Sequence, residues 1–85
     1  MKETAKKELV RIKEPLNHVK AETKGAEDIL NMAKCYYSDA EHFYKKEMYI
    51  ECFEAVIIAW AYVDAGLRLN IMTVPKKYRE VFTIE

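Results

Sequence analysis

The most apolar stretch of the chain, residues 52–69, predicts a helix that the rest of the molecule covers. Its largest apolar residues recur at spacings of three and four and therefore share one helical face: Phe53, Val56, Trp60, Val63 and Leu67. Further small and apolar residues widen this face beyond the roughly 100° arc of an ordinary surface helix. Glu54 and Asp64 leave only the uncharged run 55–63 between them, and a membrane span takes about 20 residues. We therefore predict a central helix over residues 49–69 and no contact with a membrane.

A narrower apolar stripe predicts an amphipathic first helix over residues 4–23. It consists of Leu9, Ile12, Leu16 and Val19. Pro15 lies inside this stripe, and proline removes a backbone hydrogen bond and crowds the preceding turn. Because the stripe keeps its phase through Pro15, we expect one kinked helix rather than two, with Gly25 as the residue that ends it.

A seven-residue repeat predicts the second helix over residues 26–46. Its apolar positions alternate spacings of four and three, which suits antiparallel packing at a shallow angle: Ile29, Ala33, Tyr36, Ala40 and Phe43. Acids in the first turn and lysines in the last match the helix dipole. A tight turn at Glu47 and Met48 makes the second and third helices an antiparallel hairpin. Residues whose numbers sum to about 95 then lie level with each other on the two helices. In this register, large side chains of one helix face small ones of the other.

The last part of the chain, residues 71–85, is less regular. Pro75 can begin a short helix with Tyr78, Val81 and Phe82 on one side, so we expect this tail to dock on the bundle. Asn70 is expected to cap the third helix. The fold predicted for residues 1–85 is all-α and a single domain. It is an antiparallel three-helix bundle, made of a kinked N-terminal helix and a long helical hairpin, with a short docked C-terminal tail.

The charge of the chain is balanced but unevenly placed. Lys and Arg equal Asp and Glu at 14 each, yet residues 1–25 carry seven basic and four acidic side chains and residues 26–73 carry four and eight. With a pI near 6.7, this pattern favours self-complementarity over nucleic-acid binding, which usually needs a clustered basic face. The N-terminus is charged from Lys2 onward and has no apolar signal region, so the predicted location is the cytoplasm.

No catalytic or metal-binding motif is present in the sequence. His18 and His42 have no partner at a ligand spacing, and Asp39 with His42 is interpreted as a surface pair. We therefore expect no cofactor and no enzymatic activity. Cys35 is expected to be buried, and in the hairpin register it lies roughly 12 Å from Cys52 along the helix axis, beyond the reach of a disulfide.

Arg11 and His18 suggest the main alternative. They are seven residues apart, which places them on one face of the predicted first helix, about 10 Å apart along its axis. This R-x6-H spacing resembles the nuclease motif of HEPN domains, which are also small helical bundles. Pro15 interrupts the segment, so a chance spacing on a charged surface is preferred. A nucleic-acid-linked role, as an RNA binder or a HEPN-like RNase, is kept as the alternative function.

Asp64 is the most unusual residue of the third helix, because a carboxylate in apolar surroundings needs a partner. Arg68, one turn further on, can supply it, and Lys34 is roughly level on the second helix. A structural ion pair is the preferred interpretation. Small-molecule binding between helices near Asp64 is the alternative.

Aromatic residues concentrate in the hairpin, and amphipathic rings are enriched in interfaces. We therefore predict a non-enzymatic protein–protein interaction or oligomerisation module, as a homodimer or with a small protein partner. The candidate interaction and polar-site residues are Tyr37, Asp39, Tyr44, Tyr62, Asp64 and Arg68.

The hairpin also carries a family resemblance. The residues concerned are Ala33, Tyr37, Asp39, Ala40 and Phe43 on the second helix and Tyr49, Phe53, Ala55, Ala59, Ala61, Asp64, Ala65 and Leu67 on the third. Together with Val74, Pro75 and the ending Val81, Phe82, Thr83, they resemble the archaeal domain-of-unknown-function family numbered 357, over about residues 26–84. Glu47 and Met48 depart from the glycine–acid turn expected there. The resemblance implies a compact helical bundle in an archaeal cytoplasm and supplies no activity.

Overall fold

The structure is a computed structural model that describes residues 1–82. Its elements in chain order are α1 (Lys2–Asn17), β1 (Lys20–Ala21), α2 (Lys24–Lys45), α3 (Tyr49–Arg68), β2 (Met72–Thr73) and α4 (Lys76–Phe82). The strands pair antiparallel, with Lys20 opposite Thr73 and Ala21 opposite Met72. The predicted all-α bundle is confirmed, and its tail contains a fourth helix. The last three residues of the predicted tail, 83–85, lie outside the described residues.

The first helix ends six residues earlier than predicted. α1 stops at Asn17, and Pro15 lies buried in its final turn, so the proline marks the end of a helix and not a kink within one. The next residues leave the helix because they have other partners: the Glu22 amide donates to the Ile71 carbonyl oxygen at 2.8 Å, beside the β1–β2 pair. The kinked helix over residues 4–23 was therefore a wrong prediction.

Thr23 begins α2, and its position corrects a second prediction, namely that Gly25 ends the first helix. Its side-chain oxygen accepts a hydrogen bond from the Ala26 amide at 3.0 Å, which is the usual way that threonine caps a helix N-terminus. Gly25 consequently lies in the first turn of α2 and does not end α1 as predicted. The observed α2 and α3 agree with the predicted ranges 26–46 and 49–69 to within two residues.

Both long helices of the hairpin end in the same backbone motif. Glu47 (φ 61°) and Asn70 (φ 59°) adopt the left-handed conformation just after α2 and α3. The Met48 amide donates to the Phe43 carbonyl oxygen at 2.9 Å, and the Ile71 amide donates to that of Gly66 at 3.0 Å. This is the Schellman arrangement, in which the residue after the cap is most often glycine. Here Glu47 and Asn70 take that place.

α3 is the central helix, packed against α1, α2, β2 and α4. Its buried residues are Cys52, Ala55, Val56, Ala59, Val63, Gly66 and Leu67. α2 faces it with the fully buried Ala33 and Ala40, and α1 contributes Leu9, Ile12 and Leu16. Phe82 of α4 is also fully buried, so the tail docks on its own chain. Among the described helices, none is long and apolar enough to cross a membrane.

Candidate functional site

The outward side of α3 carries an apolar surface that the described part of the chain leaves exposed. It is defined here as the α3 face: Glu54, Ile57, Ile58, Ala61, Ala65 and Arg68, all exposed. Ile57 and Ile58 are adjacent and remain 40% and 39% exposed. The only charged residue of α3 between Glu54 and Arg68 is Asp64, at the edge of this face. Residues 1–82 therefore leave this apolar side of α3 exposed.

An open groove borders the α3 face on each side. The groove toward α1 is lined by Thr4, Glu8 and Arg11 on one wall and by Phe53, Ile57 and Trp60 on the other. The groove toward α2 is lined by Tyr36, Asp39, Phe43, Glu51, Glu54, Ala55 and Ile58. An apolar ridge with charged residues at its margins has the composition typical of protein–protein interfaces, which combine an apolar centre with a polar rim.

The predicted aromatic residues pair within the molecule and do not form one exposed cluster. The ring of Tyr62 lies 5.9 Å from that of Tyr36. Tyr44 meets Tyr49 edge-on at 5.2 Å, with the ammonium of Lys6 5.3 Å from the Tyr44 ring centre. The four tyrosines are all half-buried. The hairpin aromatics therefore mainly serve packing between helices.

Tyr37 and Tyr44 lie on a different side of α2 from Asp39. Tyr37 and Glu41 line a small groove with Lys6 and Lys13 of α1, whereas Asp39 borders the α3 face. Burial, and then the charge and hydrogen bonding of Glu41, raise the pKa of Tyr37 to about 12. The predicted site residues are thus dispersed over at least two surfaces.

Asp64 and Arg68 form the predicted ion pair. The Arg68 Nε donates to the Asp64 Oδ1 at 3.0 Å, and the Asp64 side chain is 16% exposed while that of Arg68 is 54% exposed. Asp64 lines neither of the grooves beside the α3 face. The pair lies in the last two turns of α3, with Arg68 at the surface.

Arg11 lies within α1, and His18 is the C-cap residue that follows the last helical residue, Asn17. Arg11 approaches Glu8 at 3.5 Å. His18 approaches Glu14 at 3.5 Å, and its ring stacks on that of Tyr78 at 4.9 Å. His18 thus connects the end of α1 to α4.

The two cysteines have opposite environments. Cys35 is exposed, contrary to the prediction, since it lies two positions after the buried Ala33 and thus on the opposite side of α2. Cys52 is buried, and burial raises the pKa of its thiol. The thiols are free. Within residues 1–82, no three His, Cys, Asp or Glu side chains converge in a way that could hold a metal ion.

The exposed isoleucines are not among the predicted site residues, because the stripe of Phe53, Val56 and Trp60 indicates the buried side of the same helix. A second stripe was available in the same helix: Glu54, Ile58, Ala61, Ala65 and Arg68 alternate spacings of four and three. Because this stripe begins and ends with opposite charges, it could have been recognised as a surface with an apolar centre.

Comparison with known proteins gives two matches. A family model described as protein of unknown function (DUF357) matches residues 2–72. The crystal structure of protein AF1782 from Archaeoglobus fulgidus, a DUF357 protein, is similar with a TM-score of 0.76 and 26% identity, covering 86% of this chain and 91% of that one. No curated protein matches. The family match includes α1 through Met72, and α4 lies outside it.

Proposed function

Because the chain belongs to the DUF357 family of proteins of unknown function, its role has to be inferred from its surface, and we propose that it is a non-enzymatic oligomerisation module. A second copy of the chain covers the α3 face in this proposal. The resemblance predicted from the hairpin is confirmed by the family match, but the family description supplies no activity. The interface proposed here is the α3 face and not the aromatic cluster or the tail, since those groups pack within the chain.

The observation that supports the proposal is the pair Ile57 and Ile58 in the middle of α3. Fully burying an aliphatic side chain of this size contributes about 1.5–3 kcal/mol, so covering the 40% and 39% that remain exposed contributes about 1 kcal/mol for each residue. In a symmetric dimer, both isoleucines of each copy become covered, so four side chains contribute. The chain has a formal net charge of zero, so two copies meet without overall repulsion.

The oligomeric state in solution tests the proposal. Light scattering is measured over a dilution series from low micromolar to millimolar concentration for the natural chain and for Ile58→Asp. We expect the natural chain to approach twice the monomer mass at the upper end and Ile58→Asp to stay monomeric, because a carboxylate at the centre of an interface is costly to desolvate. A monomer at every concentration of the natural chain would contradict the proposal.

Val10→Asp is the matched control. Val10 is an exposed aliphatic residue, 63% accessible, and it lies on α1 beside Tyr37 and Glu41, away from the α3 face. The same change of chemistry there should leave the dimer intact. Circular dichroism of the variants verifies that they retain their helical content. Loss of the dimer in Val10→Asp as well would indicate a general effect of the added charge and contradict the assignment to the α3 face.

A further inference from the structure

The α3 face carries a pattern that specifies how a second copy would lie on it. Five of its residues, Glu54, Ile58, Ala61, Ala65 and Arg68, follow one another at spacings of four, three, four and three, and all five are exposed. This is the seven-residue repeat of helices that pack along their length. Its centre is Ala61, with Glu54 seven residues before and Arg68 seven residues after.

We infer that two copies pair through antiparallel α3 helices, with Ala61 of each copy at the two-fold axis. This inference rests on the proposed function and adds the orientation and register of the partner. With Ala61 opposite Ala61, the numbers of level residues sum to 122, so Ile58 of each copy lies about 1.5 Å along the axis from level with Ala65 of the other. A two-fold axis makes every contact occur twice, as in isologous dimers.

Charge complementarity selects the antiparallel orientation. Glu54 and Arg68 each lie about 10 Å along the axis from Ala61, at the rise of 1.5 Å per residue. In an antiparallel pair each Glu54 therefore meets an Arg68 of the other copy, at both ends of the apolar stretch. In a parallel pair in the same register, Glu54 would meet Glu54 and Arg68 would meet Arg68, and such like-charge contacts oppose association.

Side-chain size agrees with the same arrangement. Alanine opposite alanine at the centre permits the two helix axes to approach to the lower end of the usual 8–10 Å separation. Ile58 then has the small Ala65 nearly opposite it, as interdigitated packing requires. The adjacent Ile57 lies on the side of the α3 face toward α1, where it lines a groove with Glu8 and Arg11.

Disulfide trapping of chosen pairs tests the orientation. The background is the full chain with Cys35→Ser, because Cys35 is exposed whereas Cys52 is buried. Ile58→Cys and Ala65→Cys chains are oxidised mildly, alone and as an equimolar mixture, and Ala61→Cys is oxidised alone. Disulfides form where Cβ atoms lie about 3.5–4.5 Å apart. We expect cross-linked dimers from Ala61→Cys and from the mixture, at least tenfold faster than from either of the other two variants alone.

Different outcomes separate this inference from the proposed function. Rapid cross-linking of Ala65→Cys alone would indicate parallel helices and overturn the inference. The inference would also be overturned if none of the three variants cross-linked although the natural chain is a dimer that Ile58→Asp dissociates. In both of these cases the proposed function would stand. A natural chain that is monomeric throughout the dilution series would overturn both.

Discussion

The indole Nε1–H of Trp60 donates a hydrogen bond of 2.6 Å to the backbone carbonyl oxygen of Val81. This bond ties the central helix α3 to α4, which lies outside the family match at residues 2–72. Phe82, the next residue, is fully buried. A polar and an apolar contact at consecutive residues thus hold the tail against the bundle.

We expect Trp60→Phe to loosen α4 without unfolding the bundle. The substitution removes the donor to the Val81 carbonyl oxygen, and loss of such a bond destabilises by about 1 kcal/mol. Hydrogen exchange of the amides in residues 76–82 should accelerate, while exchange in the centre of α2 stays unchanged. As a comparison, Phe82→Ala should destabilise the whole fold by about 3–5 kcal/mol. Unchanged exchange in α4 of Trp60→Phe would contradict a role for this bond.

Glu47→Gly is expected to stabilise the protein. Glu47 has a φ of 61°, and a left-handed conformation costs a residue with a Cβ about 1–2 kcal/mol. Glycine avoids this cost but loses more conformational entropy on folding, about 0.5–1 kcal/mol. The free energy of unfolding should therefore rise by about 0.5–1 kcal/mol, measured by urea denaturation with unchanged slope.

Asn70→Gly is the matched control for that measurement. Asn70 has nearly the same φ, 59°, and ends α3 with the same hydrogen bonds, but asparagine tolerates this conformation better than glutamate does. Its replacement by glycine should therefore change stability less than Glu47→Gly. An equal or larger gain at Asn70 would show that backbone strain is not what distinguishes Glu47.

The helical hairpin could be predicted because its signals repeat. Alanine and large apolar residues recur every seven positions along α2, and the register with α3 follows from one tight turn. The end of α1 could not be predicted in this way, because Val19 continues the apolar stripe but is buried outside the helix. Two-residue strands have no period to detect. Thr23 begins α2 as its N-cap, at a position that the sequence was interpreted to place at the end of the first helix.

The candidate site was predicted less well than the fold. The Asp64–Arg68 pair follows from an i,i+4 spacing within one helix, which local sequence specifies. Whether Ile57 and Ile58 are covered depends on how far α1 and α2 wrap around α3, and that is a property of packing between distant segments. The exposure of Cys35 is a different case, because it follows from the predicted stripe through Ala33, which places Cys35 on the opposite side of α2.

The two thiols should be distinguishable by their reactivity. Cys35 is exposed and Cys52 is buried, and burial raises the pKa of Cys52, which lowers the fraction of reactive thiolate. With a chromogenic disulfide reagent at pH 8, we expect one thiol per native chain to react within the mixing phase and the second only in denaturant. Cys35→Ser should abolish the rapid phase. A rapid phase that survives in Cys35→Ser would mean that Cys52 is accessible.

The raised pKa of Tyr37 predicts that the protein becomes less stable at alkaline pH. Its pKa is raised from 10.0 to about 12 in the folded chain, by burial and then by Glu41. Between these two pH values the unfolded chain releases the phenolic proton and the folded chain keeps it. The free energy of unfolding therefore falls as the pH rises through this interval. Below pH 10 the phenol is protonated in both states, and the contribution of Tyr37 to stability is fully present. Absorbance of tyrosinate at 295 nm should show a titration step near pH 12 that Tyr37→Phe removes.

Glu41→Gln separates the two causes of the Tyr37 shift. It removes the negative charge next to the phenol and keeps a side chain of similar size, so the burial of Tyr37 persists. Because burial is the larger cause, the pKa of Tyr37 should fall only part of the way toward 10 in this variant. The alkaline loss of stability should then begin at the same pH but end earlier, since only the folded-state value has moved. A Tyr37 pKa that returns to its ordinary value in Glu41→Gln would mean that the carboxylate, and not burial, is the main cause.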